Sequence, residues 1–234
     1  MGMSFAVKTR LVLAAFVCWS GLAGADSVPD AHEILRTVRL AQTSQHQTLR
    51  GRLRTAGKIS QFRLVIDGPL IRYEFSDPPQ IIQLRLLERD SRLEEVTAGG
   101  TQRITAARFD DTVRGSDITY EDLAMKFLYW PNANVEGEQT MLLRRCWKIR
   151  AEPSAKGDSQ YRGVILWIDK GTGALMQAEA FDATGKFARR FKVISGQKIE
   201  GTWLLKSMRI ESAVGPHGED RSPTYLEIEG VEKG

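Results

Sequence analysis

Apolar residues recur at helical spacing near the start of the chain and at a spacing of two along most of the rest. Ile34, Leu35, Val38 and Ala41 form one apolar stripe, with Arg36 and Arg39 on the opposite face. Ser27 and Pro29 mark the start of that predicted helix, and Asp30 and Glu33 fall in its first turn. From residue 47 the period becomes two. Leu49, Gly51 and Leu53 alternate with Arg50, Arg52 and Arg54, and Phe62, Leu64 and Ile66 share a face of the next segment. Ile71, Tyr73 and Phe75 alternate with Arg72 and Glu74, and Ile82, Leu84 and Leu86 with Gln83 and Arg85. Such alternation predicts antiparallel strands with one buried and one solvated face. Gly57, Asp67-Gly68-Pro69, Asp77-Pro78-Pro79 and Gly99-Gly100 punctuate them as turns.

Residues 115–131 interrupt the pattern. Gly115-Ser116 resembles a helix cap, and Ile118, Leu123, Phe127 and Leu128 follow at roughly helical spacing until Pro131. Asn132 to Glu138 reads as a polar loop. Strands then resume: Met141, Leu143, Arg145, Trp147 and Ile149 as one alternating set, then Val164 to Ile168, Leu175 to Phe181, Phe187 to Val193, Gly201 to Ser212 and Tyr225 to Val231. The expectation is a mainly β, α+β domain of roughly ten or eleven strands, and a sheet that wide must curl. An ordinary packed β domain and a lidded half-barrel both fit this pattern.

The first residues change the picture of where the chain works. Lys8 and Arg10 precede an apolar run from Leu11 to Leu22, and Ala23-Gly24-Ala25 supplies a small-x-small cleavage pattern. The run is about 12 residues, short of the roughly 20 that span a bilayer. We therefore expect a cleavable signal over residues 1–25, export to the periplasm, and a single domain over residues 26–234. Phe16-Val17 before Cys18 are too bulky for a lipidation signal, so the protein is not expected to carry its own lipid. Cleavage takes the formal charge from +4 to +2 by removing Lys8 and Arg10. A chain that close to neutral gives no electrostatic case for nucleic acid. Cleavage also leaves Cys146 as the one cysteine, in a strand, where a small half-buried side chain is the simple reading.

Candidate chemistry is sparse. His32, His46 and His217 are not at metal-ligand spacing, so no metal is expected. There is no Gly-x-Ser-x-Gly elbow and no phosphate-cradling glycine loop, and adjacent carboxylates such as Asp110-Asp111 would face opposite ways in a strand. No catalytic residue, enzyme activity or cofactor is expected. Trp130, Trp147, Trp167 and Trp203 suit either core packing or an apolar ligand. Arg145 and Arg189 share faces with bulky apolar neighbours. Either a bulge turns each outward, or each clasps a lid, a carbonyl or a ligand headgroup.

The run Arg114-Gly115-Ser116-Asp117-Ile118-Thr119-Tyr120-Glu121-Asp122-Leu123 resembles a stretch typical of the outer-membrane lipoprotein-sorting, LolA-like family. So do Trp167-Ile168-Asp169, Phe181-Asp182-Ala183-Thr184-Gly185-Lys186 and Phe191-Lys192-Val193-Ile194. The order of parts agrees over nearly the whole mature chain. The resemblance implies an unclosed antiparallel β half-barrel whose helices cover a hydrophobic cavity. Its expected lining is Leu64, Ile66, Tyr73, Phe75, Leu84, Leu86, Phe127, Leu143, Trp147, Leu166, Phe191 and Trp203, with Arg145 and Arg189 meeting a lid or a headgroup. It further implies a monomeric carrier of acylated lipoprotein or lipid cargo, served by an inner-membrane exporter and an outer-membrane acceptor. A lipid sensor regulating a membrane partner is the other function such a fold would serve.

Overall fold

The computed structural model describes residues 28–43, 45–155, 158–199, 202–213 and 222–231. The expected signal segment with Cys18, and His217, lie outside these residues. Helix α1 (Ala31–Thr43) comes first, opened by the Asp30 carboxylate, which accepts from the His32 N–H at 3.0 Å. Six strands follow as successive hairpins: β1 (His46–Thr55), β2 (Lys58–Asp67), β3 (Leu70–Phe75), β4 (Gln80–Leu86), β5 (Ser91–Thr97) and β6 (Gly100–Arg103). A crossing segment, residues 104–130, holds the short helix α2 (Tyr120–Ala124) and a 3-10 turn over Lys126–Tyr129. Seven more strands follow among the described residues: β7 (Asn132–Met141), β8 (Arg144–Glu152), β9 (Tyr161–Asp169), β10 (Leu175–Asp182), β11 (Phe187–Ile199), β12 (Thr202–Ser212) and β13 (Thr224–Val231).

All of these strands join one antiparallel sheet in the order β6-β5-β4-β3-β2-β1-β13-β12-β11-β10-β9-β8-β7. The last strand, β13, sits between β1 and β12 and so welds the two runs of hairpins together. The edges β6 and β7 do not pair, which makes this an unclosed half-barrel. It has more strands than expected because β6 and β7 carry little apolar alternation: every residue of β6 is exposed, and most of β7 is. Asn132 to Glu138 is accordingly strand, not loop.

Helical spacing between residues 115 and 131 overstated the helix there. The cap is Thr119, not Ser116: its hydroxyl accepts from the Asp122 N–H while the Asp122 carboxylate accepts from the Thr119 N–H. Met125, in the left-handed region at φ 48°, ends the helix after five residues.

The alternation around Leu143 fails for a related reason. Leu142 and Leu143 are the two residues of the β7–β8 turn, at φ 47° and 62°, and Leu143 is 98% exposed. Left-handed backbone costs roughly 1–2 kcal/mol for an ordinary residue, so turns of this kind are normally Asn-Gly. Nothing in the sequence announced a turn at two leucines.

The inner face of the sheet carries two packed clusters. Leu49, Leu53, Phe62, Phe75, Ile82, Leu84 and Ile210 pack under Ile104, Val113, Ile118 and Tyr120 of the crossing segment. Ile149, Val164, Leu166 and Ile168 pack under Ala31, Leu35 and Val38 of α1 and under Phe127, Leu128 and Trp130. Ala41, expected on the α1 stripe, is exposed instead. Met125 and Phe191 touch both clusters and bridge them. Cys146 is buried with Ile165 and Trp167 on the outer face, and burial pushes its thiol up out of the nucleophilic range.

Candidate functional site

The crossing segment is tied to the sheet by polar contacts at its two ends and its middle. Arg114 donates to the carbonyls of Asp77 and Pro78 in the β3–β4 turn. Asp117 accepts from the hydroxyls of Ser212 at 3.1 Å and Thr224 at 2.9 Å, on β12 and β13. The Ser91 hydroxyl donates to the Ala124 carbonyl. Between these, Arg189 reaches in from β11, and its guanidinium donates to the Asp122 carboxylate, to the Tyr161 hydroxyl at 3.0 Å and to Thr119 Oγ1 at 3.3 Å. Tyr161 donates to the other Asp122 oxygen at 2.7 Å.

This Arg189–Asp122 pair is the most buried ion pair among the described residues, with side chains 12% and 2% exposed. Burial opposes the Arg189 charge, but Asp122 and Tyr161 outweigh it and raise its pKa. Burial, then the Asp122 charge, push the Tyr161 phenol up, so it stays a donor. Next to them Glu121 accepts from the Ser159 hydroxyl and from the Gln160 N–H at 3.1 Å. Its burial outweighs those bonds and holds its carboxyl above the usual range.

The residues expected to line a cavity divide three ways. Leu64, Phe75, Leu84, Leu86, Phe127 and Leu166 are buried. A side chain facing a water-sized void would keep accessible surface, yet Leu84 and Leu166 keep none, so the deep part of the inner face is packed, not vacant. The crossing segment and α1 supply what fills it. Ile66, Tyr73, Phe191 and Trp147 are half-buried on the same face. Leu143 and Trp203 are corrected outward. Leu143 sits at a turn tip, and Trp203 is 66% exposed because β12 gives its inner side to Leu204, Met208 and Ile210.

The two arginines also part company. Arg145 is exposed at the β7–β8 turn and pairs with Glu138 at 2.6 Å, touching no crossing element. Arg189 clasps the crossing segment.

What remains accessible is a strip of half-buried apolar residues. Ile66, Tyr73, Phe191, Ile199, Met208 and Leu226 lie on the sheet side, and Leu123 and Met125 on the crossing segment. Tyr73 has an edge-to-face contact with Phe62 at 5.7 Å, and its hydroxyl has no hydrogen-bond partner among the described residues. Its apolar surroundings push its pKa up to about 12. Tyr73 itself stays half-buried on that face. The strip therefore offers apolar surface and one polar tip, with no group poised as nucleophile or general base. Thr119, Asp122 and Tyr161 were missed as partners of Arg189, although Thr119-x-x-Asp122 is a visible capping pattern.

Residues 97–232, more than half of the chain, match a family model described as "Uncharacterized protein". The chain belongs to that family. No curated protein matches the sequence. Among solved structures it is similar to a domain assigned as an outer membrane lipoprotein-sorting protein from Vibrio parahaemolyticus, at 15% identity and TM-score 0.64, over 87% of this chain and 93% of that one. It is similar to a LolA superfamily protein from Nitrosomonas europaea at 13% identity and TM-score 0.60, over 88% and 96%. It is also similar to a DUF1329 family protein from Desulfovibrio piger at 18% identity and TM-score 0.59, over 85% and 90%. At these identities the likeness is one of fold: the chain has the LolA-like half-barrel.

Proposed function

We propose that this protein is a periplasmic, non-enzymatic carrier that shields the acyl chains of lipoproteins or lipids on their way to the outer membrane. The observation that carries the reading is an apolar inner face closed by a segment that one buried ion pair fastens, Arg189 to Asp122. Cargo enters where the half-buried strip runs beneath Leu123 and Met125. Opening means parting that pair, which costs about 3–5 kcal/mol when one charge is left buried alone. Each methylene moved from water into the strip returns about 0.8 kcal/mol, so roughly five of them offset the loss. A single acyl chain is thus long enough to offset the loss of that one clasp, and without cargo the carrier closes on its own leucines. An inner-membrane exporter and an outer-membrane acceptor would stand at the two ends of that cycle.

The test uses the mature chain, loaded with a fluorescent apolar dye and titrated with a diacylglyceryl peptide. The reading predicts saturable dye binding that the acylated peptide displaces and the same peptide without acyl chains does not. Absence of dye binding and of acyl-peptide binding would rule the carrier out.

A further inference from the structure

The β7–β8 turn is built against its own backbone preference. Leu142 and Leu143 both adopt left-handed backbone, where Asn-Gly is favoured, and they are 53% and 98% exposed. The fold gains no contact from the side chain of Leu143. Strain held together with exposed apolar side chains marks a site that meets something outside the molecule.

The surroundings identify the chemistry. Arg145 and Lys170 share Glu138, and Arg144 pairs with Asp169, so three cations at this turn meet two carboxylates. Two residues back along β7 from Glu138, Glu136 is shared by Lys148 and Arg150. The hairpin thus keeps an excess of positive charge behind an apolar tip. The antiparallel order places the end of β11 and the start of β12 at this same end of the sheet, three and four strands away from β8. There Trp203 is 66% exposed, directly opposite Lys198 in register.

From this geometry we propose that this end of the half-barrel docks on an anionic lipid bilayer. Leu142 and Leu143 enter the headgroup–acyl boundary, the cations behind them meet lipid phosphates, and Trp203 settles at the interface. A projecting tip favours a fluid surface over a folded partner, because it needs no preformed groove to receive it. Apolar tip, basic rim and interfacial tryptophan are the three parts of reversible membrane attachment. The proposal stands on the turn and its charges and does not require the carrier reading, although it would place a carrier where cargo is exchanged.

The experiment is cosedimentation of the mature chain with phosphatidylethanolamine/phosphatidylglycerol vesicles, beside phosphatidylcholine vesicles. The comparison variant is Leu142→Asn/Leu143→Gly, which gives the turn its preferred residues. The expected result is binding to the anionic vesicles, weakened by salt and on phosphatidylcholine. The variant should keep or raise its melting temperature, keep acyl-peptide binding in solution, and lose at least about tenfold in vesicle partitioning, as removal of two inserted leucines requires. A wild-type chain that stays in the supernatant, or a variant that binds as well as wild type, overturns the proposal. So does a wild-type chain that self-associates through the turn and ignores vesicles. Acyl-peptide binding is read separately, so failure here leaves the carrier reading to its own test.

Discussion

Asp122 serves three neighbours at once: it accepts from the Thr119 N–H, accepts from Tyr161 and balances Arg189. Glu121 beside it has no cation partner among the described residues and keeps its proton more readily than an exposed carboxylate. Its folded pKa lies above its unfolded one, so the folded state binds the extra proton between the two values. The stability that proton confers is complete below the unfolded pKa and fades as pH rises through the folded one. Glu121→Gln is therefore expected to raise stability at neutral pH and to flatten the decline between the two pKa values, read from urea midpoints across acid to neutral pH. A variant less stable than wild type at neutral pH, with the decline unchanged, would contradict that assignment. Residues in this cluster were half legible. Arg189 stood out because alternation placed its charge among apolar neighbours. Its partners did not, since they lie 67 and 28 positions away along the chain and only folding brings them together.

At the scale of elements, the crossing segment behaves as a strap held at several polar points over an apolar bed. Arg189→Met removes the central one and leaves Asp122 buried without a cation. The expected loss is about 3–5 kcal/mol in denaturant unfolding, with faster amide exchange over residues 119–125. Adding Asp122→Asn should recover part of that loss, because the amide oxygen can still accept from Thr119. A single variant within about 0.5 kcal/mol of wild type would show that Arg189 does not fasten the segment. A strand with one wet face, such as β2, was plain from its period of two. The edges β6 and β7 were hidden because an edge strand solvated on both sides has no apolar period to show. The helix at 115–131 was misjudged because apolar spacing says nothing of Met125 turning left-handed. Leu143 was misplaced because alternation was carried through a turn that lacks glycine, and with it the register of the β7–β8 hairpin.

For the whole molecule, the open sheet carries two apolar clusters that Met125 and Phe191 bridge, and the proposed carrier parts there. Closed, it buries its own side chains; opened, it exposes apolar surface that an acyl chain would cover. That exchange is the central claim. Native mass spectrometry of the protein recovered from a periplasm tests it most directly, because bound mass is weighed without assuming a ligand. The expected spectrum shows a monomer carrying one lipid or acylated species, with the adduct lost in organic solvent. A spectrum of the bare chain alone, unchanged when diacylglyceryl peptide is added in excess, would contradict the account.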